Sequence, residues 1–308
     1  MTRSLDVSAY LRRIGLDGLG GPPSVESLVR LHRAHVERVP YEYFHIWLEH
    51  PTSVEPLESA GRILSGRGGY CFHLNGAFSL LLAKLGYQVS RHVGGVQGSA
   101  DGPAGATGNH LALTVSGLPA ERCPDGVWFV DVGLGDALHD PLPLVEGVHR
   151  QGPFEYRLRP SEAEPGGWRF DHDPRGSFFG MDFRAEAAEM SAFAVEHHEL
   201  STSPQSSFRK VMSVQRRDVA GIDCLRGLSL IRIGSEEGTS ALSGRRDYFE
   251  ALADVFGLTL EEVSAERKDE LWRRLSDANE KWLTSTVSTA SSASSASSAS
   301  REPEHAGG

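Results

Sequence analysis

Apolar residues recur at three- and four-residue steps along several stretches, the spacing that lays one face of a helix against a core. Residues 6 to 14 put Val7, Tyr10, Leu11 and Ile14 on one face, and residues 24 to 38 do the same with Val25, Leu28, Val29, Leu31, His32 and Val36. Ser24, after two prolines, suits the N-cap of the second helix, and Pro40 ends it. The segment from Tyr41 to Trp47 is apolar and aromatic enough to be packed. A third helical pattern begins at Cys71, with Phe72, Ala77, Phe78, Leu81, Leu82 and Leu85 on its face and Gly86 at its end. Near the C-terminus, Tyr248, Phe249, Leu252, Val255 and Phe256 form a face closed by Gly257. Thr259 with Glu262 then reads as a capping box before a last helix carrying Leu271, Trp272, Leu275 and Trp282.

Between these ends the pattern changes to short strands separated by Gly and Pro, at 87–96, 110–115, 127–132, 154–158, 168–171 and 228–233. Such a series predicts an antiparallel sheet or barrel within an α+β fold, not a doubly wound parallel sheet. The glycine-rich loop 94–108 lacks the spacing of nucleotide-binding turns. From Ser285 the chain is Ser and Ala repeats followed by a polar end, which predicts a disordered tail over 285–308.

Length and charge narrow the classes. The 308 residues allow two domains, or one large domain with an appendage. A formal net charge of -10 argues against a general nucleic-acid or anionic-membrane surface. Residues 1 to 20 mix Arg, Asp and Gly through their apolar positions, unlike a signal peptide, and no stretch reaches membrane-spanning length. The three cysteines, Cys71, Cys123 and Cys224, form neither a CxxC pair nor a disulfide framework. These features together predict a cytoplasmic protein.

One stretch carries candidate chemistry. A glycine-rich turn, residues 66–69, delivers Cys71 to a helix start, where free N–H groups and the positive end of the macrodipole stabilise a thiolate. A lone cysteine is more often a small buried hydrophobe, and this stretch alone favours that role. His110 opens one strand and Asp131 lies near the end of the next. A flush antiparallel hairpin would set them opposite each other, with Cβ atoms about 4.5 to 5.5 Å apart, close enough for the carboxylate to hold the imidazole. Taken singly, His110 suits a strand end and Asp131 a turn before Gly133. Taken with a helix-capping cysteine, they are the parts of an activated thiolate. Cys71 with His73, the run Asp171-His172-Asp173, and His197 with His198 lack the spacing of a zinc site, so no metal is expected. Cys123 and Cys224 lack the Cys71 context.

The blocks Arg67-Gly68-Gly69-Tyr70-Cys71-Phe72, Thr107-Gly108-Asn109-His110 and Val130-Asp131-Val132-Gly133-Leu134-Gly135 resemble, in order and spacing, those of the arylamine N-acetyltransferases. The likeness extends to residues 10–16, to Val39-Pro40-Tyr41-Glu42 and to residues 201–208, and so covers most of residues 5 to 260. The resemblance implies an N-terminal helical bundle (1–88) carrying the nucleophile, an antiparallel β-barrel (89–200) carrying His and Asp, and a C-terminal α/β lid (201–284) around a cysteine-protease-like core. It implies a triad of Cys71, His110 and Asp131, with acetyl-CoA as acyl donor, no permanently bound cofactor, and an arylamine or hydrazine as acceptor. By position, Thr107, Gly108, Ser206 and Ser207 match CoA contacts, Tyr41 and Leu134 match the acceptor pocket, and Glu42 and Arg67 match an ion pair near the nucleophile. An exposed pair of that kind would contribute little.

Three departures bear on the substrate. His73 stands where many members carry Glu or Gln, Leu134 replaces an aromatic, and Tyr43 replaces an Asn. Loss of a ring at Leu134 removes a stacking surface. Macrolactam-forming amide synthases resemble the same family and take their acyl chain from a carrier protein, so the donor stays open between the two. A thiol hydrolase of papain type and a binding module with a vestigial site are the further alternatives.

Overall fold

The computed structural model describes residues 4–299, with side chains through Thr284. Five helices open the chain: α1 (Val7–Arg13), α2 (Val25–Arg38), α3 (Phe44–Trp47), α4 (Pro56–Leu64) and α5 (Cys71–Lys84). Ser24 caps α2, its hydroxyl accepting the Ser27 N–H. Eleven of the fourteen residues of α5 are buried, on all sides of the helix. A helix apolar all round must run through a core, and α5 does so, between α4 and the first two barrel strands.

Eight antiparallel strands follow: β1 (Gln88–Gln97), β2 (His110–Ser116), β3 (Trp128–Val130), β4 (Leu142–Pro143), β5 (Gly147–Gln151), β6 (Phe154–Pro160), β7 (Trp168–Asp171) and β8 (Gly180–Ala187). They pair in the order β4-β3-β2-β1-β8-β7-β6-β5. Only residues 144–146 separate β4 from β5, so the two ends of this order lie close and the sheet is a nearly closed barrel. Inward alternation along β6 places Phe154, Tyr156 and Leu158 in an interior shared with Phe129, Phe170 and Phe183.

The remainder comprises α6 (Ala194–Thr202), α7 (Ser207–Lys210), a second antiparallel sheet of β9 (Ser213–Arg217), β10 (Gly221–Arg226), β11 (Ser229–Gly234) and β12 (Gly238–Ala241), then α8 (Arg245–Phe256) and α9 (Ala265–Ala299). Gly257 ends α8 in the left-handed conformation, φ 68°. Among the described residues no helix is long and apolar enough to cross a membrane.

Several expectations change. The β2–β3 pairing sets Leu113 against Val130 and Val115 against Trp128, two residues from the flush register. The connection is a folded loop rather than a tight turn. Leu118 N–H bonds Gly126 O, Ala120 pairs with Cys123, and the Trp128 indole donates to Leu118 O. A two-residue slip keeps every side chain on its face, whereas one residue would have reversed them. Thr259 and Glu262 do not cap α9, which starts later; Ser264 Oγ accepts the Arg267 N–H instead. The backbone of α9 continues helical to Ala299 where a disordered tail was expected; residues 300–308 lie outside the described residues.

Glu42 is wholly buried, not part of an exposed pair. Its oxygens accept the N–H groups of Phe44 (2.6 Å) and Gly68 (3.2 Å) and face Arg67 (3.3 Å) and Arg62 (3.5 Å). Arg67 in turn bonds Glu262 at 2.7 Å, which explains what Glu262 does in place of capping. Burial pushes the Glu42 carboxyl pKa up, but Arg67, Arg62 and the Phe44 amide outweigh it and hold it below the ordinary value. Its contribution to stability is therefore present at neutral pH and is lost as pH falls below the unfolded carboxylate value of about 4.3. Glu42→Ala leaves two guanidinium groups without their buried partner and should lower the unfolding free energy by about 3 to 5 kcal/mol in urea titrations at pH 7. An unchanged midpoint would show that the network carries no net stability.

Candidate active site

Cys71 is the first residue of α5, and its N-cap, Tyr70, offers no side-chain oxygen to the first-turn amides. The positive end of the helix is therefore directed at the sulfur's neighbourhood. Gly66 takes a left-handed backbone angle, φ 87°, whereas close packing explains Gly68 and Gly69. A Cβ on Gly68 would run into Pro40 O, and one on Gly69 would lie 2.5 Å from the His73 Cβ. Gly133 does the same from the barrel side: its Cβ would sit 2.7 Å from the Cys71 Cα and 2.9 Å from the Asn75 Nδ2. Only glycine lets the 131–135 loop approach the helix this closely.

The structure brings Cys71, His110 and Asp131 together. The His110 Nε2–H donates to Asp131 Oδ2 at 2.7 Å, and Cys71, whose Sγ lies 3.6 Å from Asn109 O, is close enough for its charge to act on the ring. Asp131 Oδ1 accepts the Asn75 amide at 2.8 Å and the Gly133 N–H at 2.9 Å. All three are nearly closed off, with Cys71 4% exposed, His110 2% and Asp131 1%. Burial alone would push the His110 imidazolium pKa down. The Asp131 charge, then that of Cys71, and hydrogen bonds to both overcome it, so the pKa rises to about 10. The ring stays protonated through neutral pH while it has these partners. A cation beside sulfur at a helix start is the arrangement that keeps a thiol reactive.

Asn75 was not singled out from the sequence, although it stands four residues after Cys71 and so on the same helical face. Its amide nitrogen also donates to Leu111 O at 2.6 Å, and its oxygen accepts the Val132 N–H at 2.9 Å. One side chain thus ties α5 to the segments carrying both His110 and Asp131. Behind them His32 reaches the carbonyls of Asp131 (3.0 Å) and His139 (2.9 Å). Burial lowers its pKa to about 4, so it is neutral and donates one N–H.

Cys71 opens into a cleft of about 290 Å³ whose walls include Tyr41, Leu134, Phe178, Ser207, Phe208 and Gln215. Tyr41 and Leu134, which the resemblance matches to an acceptor pocket, line the space beside the sulfur. Tyr41 is fixed by exchanging two backbone hydrogen bonds with Gln215 of β9, at 2.9 and 3.0 Å. Of the four residues matched to CoA contacts, Ser207 lines the cleft and the others do not. Ser206 caps α7 and donates its hydroxyl to Leu200 O, while Thr107 and Gly108 sit on the loop before His110. His73 is buried away from the cleft, bonded to Thr52 Oγ1 and packed on Tyr70, His45 and His197. Its departure from the family pattern therefore changes the far side of α5. Tyr43 donates to Val211 O and stacks on Phe208 at 4.5 Å, bracing a cleft wall. Among the described residues no group of three or more His, Cys, Asp or Glu could hold a metal ion.

Fold and site together define a cysteine-centred α+β protein of acyl-transfer type. A family model described as N-acetyltransferase matches residues 24–265. The arylamine N-acetyltransferase of Mycolicibacterium smegmatis is 35% identical over 162 residues, 50% of this chain and 56% of the relative. Proansamycin X synthase of Amycolatopsis mediterranei is 32% identical over 165 residues, 51% of this chain and 60% of the relative. The chain therefore spans only about half to three fifths of these curated relatives. Solved structures match more fully. The arylamine N-acetyltransferase of Mycobacterium abscessus superposes with a TM-score of 0.75 at 28% identity, covering 88% of this chain and 95% of that one. That of M. smegmatis gives 0.77 at 26%, covering 89% and 98%. The chain belongs to the arylamine N-acetyltransferase family, a family of acyltransferases.

Asn75→Ala should loosen Asp131 and hence the ring beside the sulfur. A hydrogen bond to a charged group contributes about 1.5 to 3 kcal/mol, so alkylation of Cys71 by iodoacetamide at pH 7 should slow by roughly tenfold or more. Unchanged alkylation in a folded variant would remove Asn75 from the machinery.

Proposed function

We propose that this protein moves an acetyl group from acetyl-CoA to the nitrogen of an arylamine or hydrazine through an acetyl-cysteine on Cys71. The observation that carries the proposal is the sulfur at the start of α5 beside an imidazole held by Asp131 at 2.7 Å. In the first half-reaction the Cys71 thiolate attacks the thioester carbonyl, with the backbone N–H of Cys71, at the helix start, stabilising the oxyanion. The carbonyl carbon forms a bond to Cys71 sulfur and breaks its bond to CoA sulfur, which leaves with the proton of the His110 imidazolium. In the second half-reaction the amine nitrogen attacks the acetyl carbon and passes its proton to the now neutral His110. The Cys71 thiolate departs, and the thiolate–imidazolium pair is restored. Asp131 orients the ring and stabilises its cation throughout.

The cleft suits small reactants. A cavity of about 150 Å³ holds one benzene ring, so about 290 Å³ accommodates the acetyl group and a single-ring amine. We infer that Ser207, at the cleft wall, meets the donor, with Thr107, Gly108 and Ser206 acting further along CoA. A second reading, amide synthesis from a carrier-bound acyl chain, is favoured by the 32% identity to proansamycin X synthase. It uses the same three residues and differs only in the donor and acceptor.

Intact mass spectrometry after mixing with acetyl-CoA should show the addition of one acetyl group, absent in Cys71→Ala. Its transfer to aniline should restore the original mass. The acetylation rate should fall as pH rises through about 10, where His110 loses the proton it gives the leaving group. Absence of acetylation by acetyl-CoA, with acylation by a carrier-bound thioester, would replace the first reading by the second.

A further inference from the structure

The cleft beside Cys71 shares a wall with a second cavity of about 610 Å³. Gly98, Ser177 and Phe178 line both spaces, and among these three only Phe178 carries a bulky side chain. It is 9% exposed and lies on the 172–179 loop that joins β7 to β8. Its ring stands edge-on to His172, with centroids 4.3 Å apart, and leans toward Phe170 at 6.4 Å.

The loop is anchored from the acceptor side of the site. Ser177 N–H donates to Asp136 Oδ2 at 2.7 Å, and His172 Nε2 lies 3.4 Å from Asp136 Oδ1. Phe179 N–H donates to Gln97 O at 2.9 Å, which fixes the other end of the turn. Asp136 is two residues after Leu134. The same short segment thus supplies one cleft wall and the anchor of the wall that faces the outer cavity. Beyond Phe178 the outer cavity is lined on one side by Pro174 and Phe179, the latter 51% exposed, and elsewhere by Arg157, Arg159, Glu162, Asp171 and Asp173, so an aromatic ring there would lie against Phe179 with charged side chains around it.

We propose that Phe178 sets the length of acceptor the enzyme takes. With the ring in place, the cleft holds a single-ring amine beside the acyl group; with the ring removed, the outer cavity becomes a subsite for the second ring or apolar tail of a longer amine. The proposal rests on the assignment of the cleft as the acceptor site, and its test is separable from that of the donor.

Wild type, Phe178→Ala, Phe178→Leu and Phe178→Trp are compared with aniline and 4-aminobiphenyl. Calorimetry gives the affinity of each amine for the unacylated protein, and kcat/KM is read with acetyl-CoA as donor. Discrimination in an apolar pocket by substituent size spans about 10- to 200-fold. The biphenyl-to-aniline affinity ratio should therefore rise about tenfold or more in Phe178→Ala, less in Phe178→Leu, and should fall in Phe178→Trp, with the kcat/KM ratio following. Should Phe178→Ala not fold, Phe178→Leu and Phe178→Trp still give opposite signs. An unchanged ratio in the folded variants overturns the proposal. Because affinity is read without acylation, failure of acetyl-CoA to acylate Cys71 counts against the donor assignment alone.

Discussion

Asp131 is where the buried helix α5 and the barrel are joined. One carboxylate oxygen takes the Asn75 amide and the Gly133 N–H, while the other takes the His110 ring. With the side chain fully buried, each of these bonds replaces water the carboxylate lost, so the group is held by several partners at once. The arrangement requires α5 to lie within van der Waals reach of the 131–135 loop, and Gly133 supplies that closeness. Moving the helix would move the sulfur relative to the ring. The packing of α5 on every side therefore has a chemical consequence as well as a stabilising one.

A second junction closes the site from the opposite direction. Tyr41 exchanges backbone hydrogen bonds with Gln215, and the Glu42 N–H donates to Gly69 O at 2.9 Å. Residues 39–42 thus form a strap between the turn that presents Cys71 and the sheet of β9 to β12. Gly68 has room for this strap only because it lacks a side chain. Glu42 reinforces the same place by pairing with Arg62 and Arg67 while capping the Phe44 and Gly68 amides. The charges are buried, so their effect is structural; the cleft itself is bounded by Tyr41 and its neighbours.

What was legible in the sequence follows from how local each signal is. Cys71 at a helix start, Ser24 as a cap and Gly257 as a helix end depend on neighbours within a few residues, and each is found as the pattern predicts. The proximity of His110 and Asp131 was reached through a register that is wrong by two. It survived because an even slip preserves the face and leaves the two on a diagonal. The strands β4, β5, β8, β9, β10 and β12 are not among the predicted ones because they are brief or carry mixed polarity. Phe178 and Gln215 reach the cleft through pairings distant in sequence, for which no spacing rule exists. Asn75 differs from these, since its i+4 relation to Cys71 made it findable.

Chemistry and specificity occupy different parts of the fold. Cys71, His110 and Asp131 come from α5 and the beginning of the barrel, whose positions are fixed by burial and by a carboxylate with three partners. The cleft walls come from Leu134 in a loop, Phe178 in a hairpin connection and Phe208 in a four-residue helix. Loops and short helices change side chains with little effect on a core that does not depend on them. A family built in this way can hold one thiolate mechanism constant while donor and acceptor vary. In this chain the wall nearest to extra space is Phe178, and the residue that anchors it, Asp136, belongs to the same loop as Asp131. The loop that carries Phe178 and the orientation of the imidazole are thus held by carboxylates five residues apart, each buried and each bonded to a backbone amide.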